Sequence, residues 1–273
     1  MNTAAKARTK LTATPPAEIR NAWARAIAAT VFIAVALFTV VESRSMSGVM
    51  HLPGGWDMSM MWMRMPGQTA WGAAVMFLGM WLAMMIAMML PSSWPMLELY
   101  QKVAVSSGER WPGAAVAMVA AGYFAVWLAF GALVFGMGFA ASAEAMRSST
   151  FGGAMPWLAA SGLILSGVYQ LSPWKQSCLR HCRSPLLFLG ERFRPGLRGA
   201  LRTGVAHGLF CTGCCWALMV MQAILGVMNL AVMILIAAVI GAEKLWARGP
   251  WLARVTGWAS IAAGAYFLLH ARG

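Results

Sequence analysis

Four long uncharged runs limit what this chain can fold into. They cover residues 65–97, 111–143, 148–174 and 203–242. Each exceeds the roughly 20 residues that a helix needs to cross a bilayer. Two shorter apolar runs, 26–41 and 255–269, reach spanning length only if flanking side chains snorkel. The chain of 273 residues is 60% hydrophobic and only 11% charged. This composition and the apolar runs together predict an all-α, polytopic transmembrane helical bundle.

The run 203–242 must fold back on itself, because a single helix of that length would measure about 60 Å. The segment Gly226-Val-Met-Asn229 is the natural turn. Seven spans are expected, or six if one short run lies in the interface. They are placed at 22–41, 71–90, 113–140, 157–172, 203–223, 230–246 and 251–270. Residues 1–20 are expected to form a disordered basic tail and 21–273 a single transmembrane domain.

The formal net charge of +13 is spread between the apolar runs and not over a soluble domain. Lys and Arg are concentrated before the first span and between Lys175 and Arg202. Basic loops stay in the cytoplasm, so the amino terminus is expected inside and the carboxyl terminus outside. The pattern favours a lipid bilayer as partner, excludes nucleic acid, and indicates a multi-pass protein of the bacterial inner membrane.

A cluster of metal-seeking side chains interrupts the fifth span. Residues three and four apart share a helix face, so one stripe carries His207, Cys211, Cys214, Cys215 and Met219. Soft sulfur ligands select Cu(I), Zn or iron–sulfur clusters, which indicates a soft-metal site. The alternative is that these cysteines act as small buried hydrophobes that permit close helix packing.

A second cysteine pair lies in the basic segment before that span. Cys178 and Cys182 share a helical face, with His181 adjacent. Neighbouring cations are expected to lower the pKa of both thiols; these cations are Lys175, Arg180 and Arg183. Such thiols bind metal or react readily; the alternative is a basic cytoplasmic loop with two incidental cysteines. All five cysteines are expected in the cytoplasm or the membrane, where structural disulfides are rare.

Methionines form two further groups. A loop after the first span contains eight residues of interest, Met46, Met50, His51, Met58, Met60, Met61, Met63 and Met65. Span two carries Met76, Met80, Met84 and Met88 at four-residue steps. Thioethers suit Cu(I), so the loop could capture the ion and the stripe could relay it; alternatively, both only pack. Pro91 is expected to end span two, with a separate interfacial helix at 93–105. Glu243 and Lys244 are expected to snorkel to the interface; the alternative is that they pair or mark a pathway.

Several of these motifs together resemble a bacterial family, the predicted metal-binding integral membrane proteins (domain of unknown function 2182). The resemblance covers about residues 70–250. It is carried by the segments 81–92, 169–185 and 207–219, with Gly226-Val-Met-Asn229 and Glu243-Lys244. It implies membrane location and a metal role.

We therefore expect a membrane protein that binds, transports or delivers a soft metal ion, with copper(I) favoured and zinc or another soft metal as the alternative. The expected ligand set is Cys211, Cys214, Cys215, His207, Cys178, Cys182, His181, Met80, Met84, Met88 and Met219. Delivery requires a metal chaperone or a metalloenzyme as partner. The other hypotheses are a membrane thiol redox or metallocofactor-assembly factor and an accessory subunit of a membrane complex. No motif of an enzyme is evident.

Overall fold

The computed structural model describes residues 17–45, 49–51, 57–59 and 67–270. This part of the chain forms nine helices and one two-stranded hairpin, so the predicted all-α bundle is confirmed. The helices are α1 (Ala17–Ser45), α2 (Ala70–Ser106), α3 (Pro112–Arg147), α4 (Ser149–Leu171), α5 (Pro173–Arg183), α6 (Pro185–Arg192), α7 (Gly196–Gly226), α8 (Leu230–Leu245) and α9 (Gly249–His270).

Six helices are long and apolar enough to cross a membrane, namely α1, α2, α3, α4, α7 and α9. The expected seventh span at 230–246 corresponds to α8, which has only 16 residues. Its length is about 24 Å at helical rise, less than the roughly 30 Å of a bilayer core. Six spans were expected only if a short run, 26–41 or 255–269, lay in the interface. Both runs instead lie in candidate spans, and α8 is the helix that falls short.

The hairpin lies in the predicted methionine-rich loop. Strands β1 (Val49–His51) and β2 (Asp57–Ser59) are antiparallel, with Met50 opposite Met58. The other methionines of the loop lie outside the described residues, as do residues 1–16 of the predicted tail. Copper capture by the loop stays a prediction.

Helix α2 corrects one sequence expectation. It begins at the cap Thr69, whose hydroxyl accepts a hydrogen bond from the Gly72 N–H at 3.0 Å, and it continues past Pro91 and Pro95 to Ser106. The expected break into a span and a separate interfacial helix was wrong. Buried side chains lie on both sides of the prolines, including Met89 and Met96, and this packing outweighs the backbone hydrogen bonds that proline removes.

The turns are placed as the sequence predicts. Gly226 ends α7 with a φ of +119°, in the region that favours glycine. Asn229 then caps α8, because its side-chain oxygen accepts from the backbone N–H groups of Ala231 and Val232. Helix α8 therefore runs back along α7. Between α4 and α5, Ser172 accepts from the Lys175 N–H at 3.2 Å.

A buried ion pair holds α5 against α8. The ammonium of Lys175 lies 2.5 Å from the carboxylate of Glu243, and their side chains are 0% and 1% exposed. Gln170 of α4 and Thr256 of α9 donate to the other carboxylate oxygen at 3.4 and 3.3 Å. Four helices thus meet at one carboxylate. The expectation that Glu243 snorkels to the interface was wrong.

Replacing Glu243 with Gln is expected to lower the free energy of unfolding by about 3–5 kcal/mol, because Lys175 would remain as an unpaired buried charge. Adding Lys175→Met should recover part of that loss, since the double variant has no uncompensated charge. Thermal or denaturant unfolding of the purified protein in detergent measures both.

Glu98→Gln is the matched control. Glu98 pairs with Arg25, but the two side chains are 26% and 61% exposed, and exposed pairs contribute only about 0–1 kcal/mol. An equal loss of stability in the Glu98 and Glu243 variants would contradict the role assigned to the buried pair.

Candidate metal centre

Three cysteines of α7 form a compact group inside the bundle. The Sγ atoms of Cys211, Cys214 and Cys215 all lie within 4.8 Å of one another, and none of the three side chains is more than 1% exposed. Helical spacing explains the grouping, because residues three and four apart occupy adjacent positions on one face. The Sγ atoms of Cys214 and Cys215 are 3.3 Å apart.

A fourth thiol comes from a different helix. Cys182 of α5 lies with its Sγ 3.8 Å from the Sγ of Cys214. Two sulfurs bound to one soft ion, at about 2.3 Å each, are separated by at most about 4.6 Å. The sulfur atoms therefore already have separations that one soft ion can bridge. We call Cys182, Cys211, Cys214 and Cys215 the cysteine cluster.

Cys178 lies beside the cluster and not within the group of three. It is half-buried, and its Sγ packs against Gly213, where an added Cβ would approach it to 2.9 Å. Burial raises the pKa of the Cys178 thiol, so the expected lowering was wrong. Two of the three cations are engaged elsewhere. Lys175 pairs with Glu243, and Arg183 donates to the Glu243 and Trp246 carbonyls at 2.6 and 2.7 Å.

Cys211 has two polar partners besides the other thiols. The Lys244 ammonium donates to its Sγ at 3.0 Å, and the Tyr123 hydroxyl lies 2.9 Å from the same atom. Lys244 also donates to the hydroxyl of Ser92 in α2 at 3.2 Å. Lys244 is only 6% exposed, so the expectation that it snorkels to the interface was wrong. A buried cation at this position stabilises negative charge on the cluster.

The sequence pattern missed these partners of Cys211. Tyr123 lies in a helix that contains no cysteine or histidine. Lys244, which also contacts Ser92, was expected to snorkel away from the thiols. The position of Glu243 and Lys244 next to each other at the end of an apolar run was a usable signal, because intramembrane charges usually face a partner. It did not identify which partners.

The two predicted histidine ligands have different surroundings. His207 is 5% exposed, and its ring stacks on Tyr123 with centroids 5.3 Å apart. His181 stacks on Phe210 at 4.3 Å and its Nδ1 lies 2.9 Å from the Ser177 carbonyl. In the described part of the chain, neither belongs to the three-cysteine group, so their ligand roles stay predictions.

The methionine stripe of α2 leads toward the cluster. Met80, Met84 and Met88 are buried at 8%, 1% and 5% exposure, whereas Met76 at the start of the stripe is 51% exposed. Met84 and Met88 share one hydrophobic core with Met219 and the three cysteines of α7.

The register of α2 against α7 places the stripe beside the cysteine helix. The side-chain amide of Gln222 donates to the Met84 sulfur at 3.3 Å, and eight residues farther along α2, Ser92 and Cys211 share the Lys244 ammonium. The two helices therefore run in opposite directions. The thioethers approach the thiols from the end of α7 that carries Gln222.

Comparison with known proteins now adds to this geometry. No curated protein and no solved structure matches the chain. One family model matches residues 78–267, and its description reads PpoB2, copper chaperone. The match contains all five cysteines and most of the methionine stripe, while the methionine-rich loop lies outside it. A metal-binding family was expected, although the expected family name is not confirmed. The chain belongs to the PpoB2 family of copper chaperones.

Proposed function

We propose that this protein is a membrane-embedded chaperone that holds one Cu(I) ion at the cysteine cluster and passes it to a partner. The observation that carries the proposal is the set of buried thiols, three within 4.8 Å of one another and a fourth 3.8 Å from Cys214. Buried thiolates need a compensating cation. Lys244 supplies one charge, and a bound soft cation would supply another.

The methionines favour copper over zinc. Zinc sites in proteins are built from Cys, His and carboxylate ligands, whereas thioethers are ligands for soft ions such as Cu(I). A buried row of thioethers that ends beside the thiols supports Cu(I) as the cargo. Each thioether is a weak ligand, so an ion can move from one to the next without a deep trap.

Location in a membrane is part of the proposal. Six helices have the length and composition of spans, and large apolar side chains are exposed along them, among them Leu133, Leu165, Leu209 and Leu269. An exposed apolar surface of this extent is unfavourable in water and suits the hydrocarbon of a bilayer. Under the positive-inside rule, α5 and the amino-terminal end of α7 face the cytoplasm.

Cys214→Ser is expected to lower the affinity for Cu(I) by at least tenfold, because Cys214 contacts both Cys182 and Cys215. The measurement is competition of the reduced, purified protein with a chromophoric Cu(I) chelator, with metal analysis for the stoichiometry.

Cys178→Ser is the matched control, since Cys178 lies on the same helix as Cys182 but outside the group of three. It should retain the wild-type stoichiometry and affinity. Wild-type binding in the Cys214 variant, or zinc retained in preference to copper by the wild-type protein, would contradict the proposal.

Replacing Met84 and Met88 together with Leu is expected to slow the acquisition of Cu(I) from the outer side by about tenfold and to leave equilibrium affinity unchanged. Leu conserves the volume of Met but offers no sulfur. The measurement is the rate at which the protein in oriented proteoliposomes takes up Cu(I) from an external donor.

Met85→Leu with Met89→Leu is the control pair. Both side chains are 0% exposed and adjoin the stripe without belonging to its four-residue steps. This variant should load at the wild-type rate. Equal slowing in the two double variants would show that the stripe only packs.

A further inference from the structure

A small cavity adjoins the cysteine cluster. Its volume is ≈ 180 Å³, and it lies where the second half of α2 meets α5, α7 and α8. Among the residues that line it are Ser92, Cys182, Arg183, His207, Lys244 and Leu245. Because Cys182 belongs both to this wall and to the cluster, a molecule in the cavity would lie beside the sulfur atoms that are proposed to hold the metal.

Two positive charges of the wall have no carboxylate partner. Among the described residues, the salt bridges involve neither Arg183 nor Lys244. The nearby carboxylate of Glu243 is paired with Lys175, and Arg183 donates to backbone carbonyls, which do not neutralise its charge. Lys244 also donates to the Cys211 sulfur, so its charge is shared with the cluster. A cavity that is partly shielded from water, and whose lining in the described part of the chain includes two cations and no carboxylate, favours an anionic occupant.

The wall also carries an unsatisfied polar atom. Nδ1 of His207 is buried and has no hydrogen-bond partner within the described part of the chain, and the residue is only 5% exposed. Buried polar atoms in proteins are nearly always paired. Because His207 is among the residues that line the cavity, a turn of its ring toward the cavity would let a polar group on a bound molecule supply the missing partner.

We propose that the cavity binds a small thiol that carries an anionic group, and that this thiol exchanges Cu(I) with Cys182. The inference rests on the proposed function and names the class of molecule that loads or unloads the same site. The volume admits a molecule of a few heavy atoms and excludes a folded partner. Arg183 and Lys244 would hold the anionic group, with the thiol directed at Cys182.

The exchange is a ligand substitution and needs no oxidant or reductant. The sulfur of the small thiol forms a bond to copper as the bond between copper and Cys182 breaks. The proton lost by the incoming thiol is taken up by the departing Cys182 thiolate. Copper remains in the +1 state throughout, so charge and atoms balance.

The test uses 3-mercaptopropionate, with neutral 3-mercaptopropionamide as the isosteric comparison. The full chain is loaded with Cu(I) in detergent, and transfer to an excess of a bulky chromophoric chelator is followed as the thiol concentration rises. The acid is expected to accelerate transfer with saturation. The amide should be at least tenfold less effective at low concentration, because it lacks the charge that the two cations attract.

Leu245→Trp and Leu235→Trp form a matched pair of variants on α8. The two leucines are 58% and 59% exposed, but only Leu245 lines the cavity. Leu245→Trp should narrow the cavity and remove the saturable acceleration, while Leu235→Trp should behave as wild type. Both should bind Cu(I) with unchanged stoichiometry. Acceleration that is linear, equal for acid and amide, or unaffected by Leu245→Trp would overturn the inference.

A second readout separates this inference from the proposed function. If the wild-type protein holds no Cu(I), the proposed function fails, and the cavity is tested in the metal-free chain by alkylation of Cys182. The ratio of the alkylation rate with iodoacetate to the rate with iodoacetamide should be higher at Cys182 than at a free thiol. Leu245→Trp should slow the reaction of Cys182 with iodoacetate. A rate ratio at Cys182 equal to that of a free thiol would contradict an anion-binding site in the cavity.

Discussion

The buried ion pair between Lys175 and Glu243 is the interaction on which the metal centre depends. Helix α5 is short and polar, so it has little apolar surface with which to dock into the bundle. The pair, completed by Gln170 and Thr256, attaches α5 to α8 and brings Cys182 to 3.8 Å from Cys214. Lys244 follows Glu243 directly in α8, so the same ion pair also holds the Lys244 ammonium beside Cys211. A single carboxylate therefore positions both the fourth thiol and the cation beside the cluster.

The surroundings of the cluster are apolar, so each electrostatic contact there is stronger than it would be in water. The thiols lie in the core with the α2 methionines, and the nearest charge is the Lys244 ammonium. A soft monovalent ion suits this environment, because sulfur ligands bind it strongly and little hydration has to be replaced. Thioethers of α2 share the core with the thiols, and the cation-lined cavity adjoins the cluster at Cys182.

Sequence pattern was most successful where one helix decides the geometry. Cys211, Cys214 and Cys215 follow one another within a turn of α7, so helical spacing alone predicts their grouping. The turn at Gly226 and Asn229 follows from local backbone chemistry. The sequence pattern gave wrong predictions where a side chain contacts a segment that is distant in the chain. The cations near Cys178 were expected to act on thiols, yet Lys175 and Arg183 bond to α8, and Pro91 does not end α2 because tertiary packing continues past it.

The sequence by itself determined that the chain forms long apolar helices and that soft-metal ligands lie on one face of one of them, since both properties depend on residue spacing within a helix. Only the tertiary structure decided that Cys182 joins this face, that Lys244 and Tyr123 contact Cys211, and that a cavity adjoins the cluster. These contacts join residues 32 to 88 positions apart in the chain. They depend on how the helices are docked, and helical periodicity carries no information about docking.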